Sequence, residues 1–359
     1  MQIRKEIWLL ILTVLISTVA IWVRLDMQTI YSNYDGPYYI AVAKTWYNKE
    51  ALGKNFDFSL PLEYYPAHFP LYPLLISWIA KLGPTYPQAM VAVNVLATIA
   101  GAVIIYLAAE TLKWKSGFWL ALAWLFWWPR MWAVRSVGSP ETLFIALTAG
   151  SLLLFKKRNF LLAAVLGSLA ILTKSPGVLL LLTYFIFQIV QFLKTRKWEM
   201  RIWPVLIIMG MTLVGLFGFY YLRTGDFWAY FHTGDNIHLQ TLPFRVFDST
   251  QAWVGSFWLE DVVWIYLLAG LGVYYALKKD LVWGMFGLVF YTSLLFVSHR
   301  DISRYSLPLV PVVLLGFSEM FAKKEIRVLL IASIIPLFLY TINFVSNNTL
   351  SIANWGPLL

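Results

Sequence analysis

Residues 88–112 read QAMVAVNVLATIAGAVIIYLAAETL, and Lys113-Trp114-Lys115 closes the run. A bilayer crossing takes about 20 predominantly apolar residues, so this stretch alone reaches across. The basic pair behind it marks an end that stays inside. Read outward from here, comparable runs occur at 7–23, 116–133, 139–155, 159–173, 176–194, 202–222, 261–277, 281–298, 303–322 and 326–346. The expectation is an all-α polytopic membrane protein with about eleven transmembrane helices in one domain, residues 1–359. Composition agrees: 60% of residues are hydrophobic and 13% charged, against roughly 45–50% and 25% in soluble chains. Mean hydropathy is +0.69, and the 18 Trp suit membrane interfaces.

The net charge of +10 would point to nucleic acid in a soluble domain. Here more than half of the 28 Lys and Arg sit in short loops between apolar runs, where they set topology, so no nucleic-acid partner is expected. Placing the N-terminus inside puts Arg4 and Lys5, Lys113 and Lys115, Lys156 to Arg158, Lys194 to Arg201, Lys278 and Lys279, and Lys323 to Arg327 on the inner side. The first run follows Arg4 and Lys5 but no small-x-small cleavage site follows it, so it is read as a retained helix. Cysteine is absent, which excludes disulfides and thiolate metal sites.

Two longer segments then fall outside, 24–87 and 223–260. Within the first, 38–47 and 68–82 are short and aromatic, and are read as helices along the membrane surface. His68, His232, His238 and His299 all lie on the outer side, so polar chemistry gathers at one face.

Five clusters there carry candidate chemistry. Asp35 stands in Tyr34-Asp35-Gly36-Pro37 after the first run; it serves either as a carboxylate that accepts a proton or as a helix cap. Tyr64-Tyr65-Pro66-Ala67-His68 begins a stiff aromatic wall in which His68 is a ligand to substrate or phosphate, or a structural imidazole. Arg130 to Arg135 precedes Ser139-Pro140-Glu141. Ser139 suits an N-cap and Glu141 a first turn, yet an acidic residue entering a membrane is a functional candidate. Lys174 stands alone at an outer turn, a point charge for phosphate or a snorkelling side chain. His299-Arg300-Asp301-Ile302-Ser303-Arg304-Tyr305 is the sharpest. In a helix Arg300 and Arg304 share a face and make a fork for a phosphate; the alternative is interfacial snorkelling with an Asp301 salt bridge. P-loop, Rossmann, zinc and Gly-x-Ser-x-Gly patterns are absent. The middles of the expected spans carry almost no ionisable residues, which favours surface chemistry over transport.

Tyr34-Asp35-Gly36 with Ile40-Ala41, Phe69-Pro70-Leu71-Tyr72-Pro73-Leu74-Leu75, Ser139-Pro140-Glu141-Thr142-Leu143-Phe144, and Ser303-Arg304-Tyr305 before Pro308 together resemble the GT-C superfamily of membrane glycosyltransferases, in particular PIG-V-type mannosyltransferases. The resemblance covers about residues 30–311. It implies inverting transfer of a sugar, mannose by this likeness, from a polyprenyl- or dolichyl-phosphate carrier to a hydroxyl acceptor on a lipid, glycan or protein at the non-cytoplasmic face. Asp35 would be the catalytic base; Arg304, with Arg300, His299 and Lys174, would hold the lipid phosphate; Glu141, His68, Tyr65 and Tyr305 would bind substrate. No cofactor is expected; the basic residues reduce the need for a metal, and a divalent metal stays open. Asp35 is single where some members carry a pair, and Gly36-Pro37 departs from the PIG-V pattern, which leaves the acceptor open. The other readings are transfer of a modified sugar such as aminoarabinose, and a lipid-linked sugar flippase.

Overall fold

In hydrocarbon every backbone N–H and C=O needs a partner within the chain, and the α-helix supplies one segment by segment. The computed structural model describes the whole chain except residues 1, 34, 59, 235–237 and 255–258. Among the described residues the only β pairing is two isolated bridges, Asn33 with Thr349 and Leu239 with Val297. The helices are α1 (Gln2–Arg24), α2 (Met27–Tyr31), α3 (Gly36–Thr45), α4 (Lys49–Asn55), α5 (Leu71–Ala80), α6 (Tyr86–Thr111), α7 (Gly117–Phe126), α8 (Pro129–Ser136), α9 (Glu141–Lys156), α10 (Phe160–Thr173), α11 (Gly177–Thr195), α12 (Trp203–Thr224), α13 (Leu259–Lys279), α14 (Leu281–Leu295), α15 (Ile302–Tyr305), α16 (Val310–Gly316), α17 (Lys324–Ala332) and α18 (Ile334–Ser346).

Six described helices are long and apolar enough to cross a membrane: α1, α6, α11, α12 with the turn before it, α13, and α17 continued by α18. The pair α8 and α9, bent by 109°, makes a seventh if taken as one span. The large apolar side chains left open on these helices, Ile16, Leu222 and Ile335 among them, have only lipid to face. The chain is thus an integral, multi-pass membrane protein.

The structure departs from the eleven expected spans where proline interrupts the run. Segment 116–133 is two helices, because Pro129 has no N–H to continue α7 and instead starts α8. Segment 303–322 breaks into α15, a 3-10 turn at Leu307–Leu309 and α16, with Pro308 and Pro311 at the first positions of the pieces. The expected surface helices are α3 and α5, of 10 residues each, too short to cross. However, α3 is not laid on the surface: all of it but Lys44 is buried, and Lys44 donates to the carbonyl of Pro357.

Successive loops alternate between two ends. At one, Lys115 pairs with Glu319, Lys156 with Asp280 and Arg158 with Glu199, while Glu6 of α1 accepts from Tyr106. The other gathers the first long segment, the α8–α9 break, Lys174, the α14–α15 loop and residues 347–358. Tyr220 and Arg223 of α12 tie into the first long segment there, donating to the carbonyls of Pro66 and Trp46 at 2.8 and 2.7 Å.

The α8–α9 break leaves helix-end carbonyls that side chains satisfy. Asn94 of α6 donates to Val134 O at 2.7 Å and also to Val137 O, and its Oδ1 accepts from Thr142. Trp22 of α1 donates to Ser136 O at 2.8 Å. Arg135 is fully buried without a carboxylate, and its donors reach Leu125 O, Thr18 and Ser17. Asn94→Leu should cost about 1–3 kcal/mol by stranding these groups and shift Glu141; a lowered melting temperature in detergent is the readout.

Candidate active site

Asp35 sits where α2 turns into α3. Its carbonyl accepts from Tyr38 and Tyr39 N–H at 3.1 and 3.2 Å, so the backbone starts the helix. The carboxylate makes no capping bond; the capping reading therefore drops out. Oδ2 instead meets Arg304 Nη1 at 2.5 Å, and the side chain keeps 16% exposure. Oδ1 takes no hydrogen bond from the described residues. Tyr34, the first residue of the motif, lies outside the described residues. Gly36 is required by close approach: a Cβ there would stand 3.1 Å from Met90 Cε and 3.2 Å from Tyr31 O. Met90 also fills the space beside Gly138, which brings the Asp35 turn against the α8–α9 break.

That break carries Glu141, 1% exposed. Oε1 accepts from both Lys174 Nζ and Arg304 Nε at 2.6 Å, and Oε2 accepts from Ser139 Oγ. Ser139 therefore binds the Glu141 carboxylate rather than capping the helix; the cap position is Pro140. With both oxygens engaged and 1% exposure, Glu141 holds cations in place. Lys174, at the end of α10, is spent on Glu141. Arg304 bridges the two carboxylates, so Asp35, Glu141, Lys174 and Arg304 form one chain of ion pairs.

Arg300 and Arg304 do not form the expected fork. Asp301 is the cap position of α15, so Arg300 precedes the helix and lines a separate cavity. That cavity, about 810 Å3, is walled by Trp127, Trp128, Trp264, Leu268, Leu314 and Phe317, with His299, Arg300, Arg130 and Asp301 at its polar end. A second cavity of about 20 Å3, lined by Asn33, Asp35, Ser139 and Arg304, shares Arg130, Asp301, Phe344 and Asn348 with the first. It holds roughly one water. Arg130 Nη2 meets Asp301 Oδ1 at 2.8 Å where the two spaces adjoin.

The aromatic wall is also present. His68 lies among the rings of Tyr38, Tyr39 and Tyr64, at 5.5, 4.7 and 5.5 Å between centroids, and its Nδ1 is buried without a partner. Burial pushes its pKa down to about 4 despite the pull of Asp35. Tyr65 is buried behind this wall, packed with Phe69 and Tyr220. His299 stacks on His238 at 4.1 Å, with Tyr305 edge-on at 5.4 Å; burial and then the second imidazole push the His299 pKa to about 4. Residues 235–237 and 255–258 of the second outer segment lie outside the described residues, but Ser298 N donates to His238 O at 2.9 Å, tying it to the α14–α15 loop. No three described His, Asp or Glu side chains come together as a metal site.

Sequence reading named Arg130 without a role, gave Asp301 only a salt bridge in the alternative reading, and passed over Asn33. The signal for Arg130 was Pro129: a proline inside an apolar run turns the chain there and delivers the next residue to the site.

No family model and no curated protein matches the sequence. Among solved structures, the chain is similar to ArnT from Cupriavidus metallidurans bound to undecaprenyl phosphate, at 16% identity and a TM-score of 0.57, with 86% of this chain and 59% of that one covered. The apo structure of the same protein gives 16% identity and a TM-score of 0.55 with the same coverage. The chain thus shares the fold of ArnT and spans about three fifths of its length.

Arg304→Gln should lower the melting temperature sharply, since removing one partner of a buried pair costs about 3–5 kcal/mol. Adding Glu141→Gln should restore part of the loss, a coupling that a double-mutant cycle reads. Acid has a defined sign. His68 and His299 bind protons near pH 6.5 when unfolded but near pH 4 when folded, so stability falls as pH drops from 6.5 toward 4. His68→Gln should reduce that slope by about half in melting curves across this range.

Proposed function

We propose that the chain is an inverting glycosyltransferase that moves a sugar from a polyprenyl-phosphate carrier to a hydroxyl acceptor at the non-cytoplasmic face. The observation that carries this reading is the position of Asp35: a carboxylate with one oxygen held by Arg304 and the other open, beside an amphipathic groove whose polar end bears Arg300 and His299. A polyprenyl chain suits the Trp- and Leu-lined wall, and its phosphate suits the basic end. The carrier is further supported by the shared fold with a protein solved with undecaprenyl phosphate. The side of the membrane rests on the basic loops gathered at the opposite end.

In the proposed reaction Asp35 Oδ1 takes the proton from the acceptor hydroxyl as its oxygen attacks the anomeric carbon. The bond from that carbon to the phosphate oxygen breaks on the opposite face, and its electron pair leaves with the lipid phosphate. Arg304, reinforced by Lys174 through Glu141, and Arg300 stabilise the charge that grows there. Glu141 acts by fixing Arg304. His68, neutral at pH 7 with an open Nδ1, and the Tyr38, Tyr39 and Tyr64 rings offer hydrogen-bonding and stacking surfaces for a sugar, with Tyr65 supporting them. Tyr305 and His299 close the opposite wall.

Mannose follows from the motif resemblance to PIG-V-type enzymes. Transfer of a modified sugar such as aminoarabinose is the second reading, and the shared fold with ArnT favours it. Both separate in one assay, using radiolabelled polyprenyl-phosphate mannose or aminoarabinose with lipid and peptide acceptors. The protein should transfer one of the two sugars, and Asp35→Asn should lower kcat by about 100- to 10,000-fold with a smaller drop in melting temperature than Arg304→Gln, because Arg304 keeps Glu141 as a partner. Near-normal turnover by Asp35→Asn removes the base; translocation of intact carrier without transfer identifies a flippase.

A further inference from the structure

The small cavity at Asp35 has room for about one water and cannot admit a sugar. For transfer to occur, the wall between it and the large groove has to move. That wall is the Arg130–Asp301 ion pair with Phe344 and Asn348, which line both spaces.

The charges around the small cavity are balanced at rest. Asp35, Glu141 and Asp301 face Arg304, Lys174 and Arg130, and each of these cations is paired with a carboxylate. An arriving phosphate therefore finds no unpaired cation in this cluster, and Arg300 alone adds a positive charge at the groove. The three cations differ in how firmly they are held. Arg304 bridges two carboxylates, and Lys174 sits on a carboxylate that is 1% exposed. Arg130 has Asp301 as its one carboxylate among the described residues, and that side chain is 22% exposed.

Two further contacts set Arg130 apart. Its guanidinium lies 3.7 Å over the Phe344 ring, a cation–π contact that holds the planar group whether or not Asp301 is present. Its Nε is buried without a partner among the described residues, as is Asn33 Nδ2 in the same cavity wall. Both are donors awaiting an acceptor, and a buried donor without one is costly.

We propose that Asp301 occupies Arg130 as a stand-in anion and yields it to the donor phosphate, so that this ion pair is the gate between the lipid groove and the Asp35 cavity. The inference rests on the carrier reading above. The exchange replaces one charge-assisted contact with another: Asp301 turns toward its neighbour Arg300, Arg130 joins the phosphate by its fork, and the shared wall opens. Arg130 is thereby a positioning residue for the donor.

The test reads opposite signs from the two partners. Undecaprenyl phosphate is titrated into the protein in nanodiscs, followed by quenching of the groove tryptophans Trp127, Trp128 and Trp264, with undecaprenol as the phosphate-free control. Asp301→Asn, which removes the competitor, should tighten binding of the phosphate by about tenfold, and Arg130→Gln should weaken it by about tenfold, with undecaprenol unaffected by either. The double variant should behave like Arg130→Gln. If that variant does not fold, Arg130→Lys should give intermediate binding, because it keeps the charge and loses the fork. A structural ion pair would weaken binding in both single variants together with their melting temperatures, and that result overturns the gate while leaving the carrier reading standing. Wild type that binds undecaprenol as well as the phosphate overturns the carrier reading, and the gate with it.

Discussion

Arg304 is the residue through which the Asp35 end of the molecule is assembled. Its guanidinium joins Asp35 at the start of α3 to Glu141 at the start of α9, and Glu141 passes the contact on to Lys174 at the end of α10. Four segments distant in sequence are thus fixed by three ion contacts of 2.5–2.6 Å. Such a network is tolerated away from water only when nearly every lone pair and donor is used. Glu141 meets that demand. Asp35 does not, and this asymmetry separates a residue that organises the site from one with capacity left to react.

The helices exist to bring these ends together. Proline does much of the shaping: Pro129 turns the chain between α7 and α8, Pro140 precedes Glu141, and Pro308 and Pro311 break the run that follows Arg304. Each break leaves backbone groups that must be paired inside the protein, and Asn94, Trp22 and Arg135 do so from neighbouring helices. The α8–α9 break is therefore accompanied by buried polar side chains.

The groove and the small cavity differ in size and lining. One is about 810 Å3, apolar-walled and basic at its end; the other, about 20 Å3, lies against Asp35 and Arg304. Their shared wall consists of one ion pair, one phenylalanine and one asparagine, so the separation of the two spaces depends on very few atoms.

Sequence alone determined the membrane class and the positions of the long apolar helices, and it singled out Asp35, Glu141, Lys174 and Arg304, which the structure brings together. Hydrophobic runs and basic loops record these directly, because the bilayer constrains each segment independently of the others. Only the tertiary structure decided what each charge is paired with. Asp35 capping a helix and Asp35 meeting a guanidinium are indistinguishable locally. Asp301 has Arg300 beside it in sequence but pairs with Arg130 from another helix, and Arg300 departs from Arg304 because α15 begins one residue after Asp301. Pairing depends on distances between segments far apart in the chain, and no local pattern encodes those distances. The partition of this end into a groove and a small cavity is of the same kind: it is a property of the space between helices, and it exists only once they are packed.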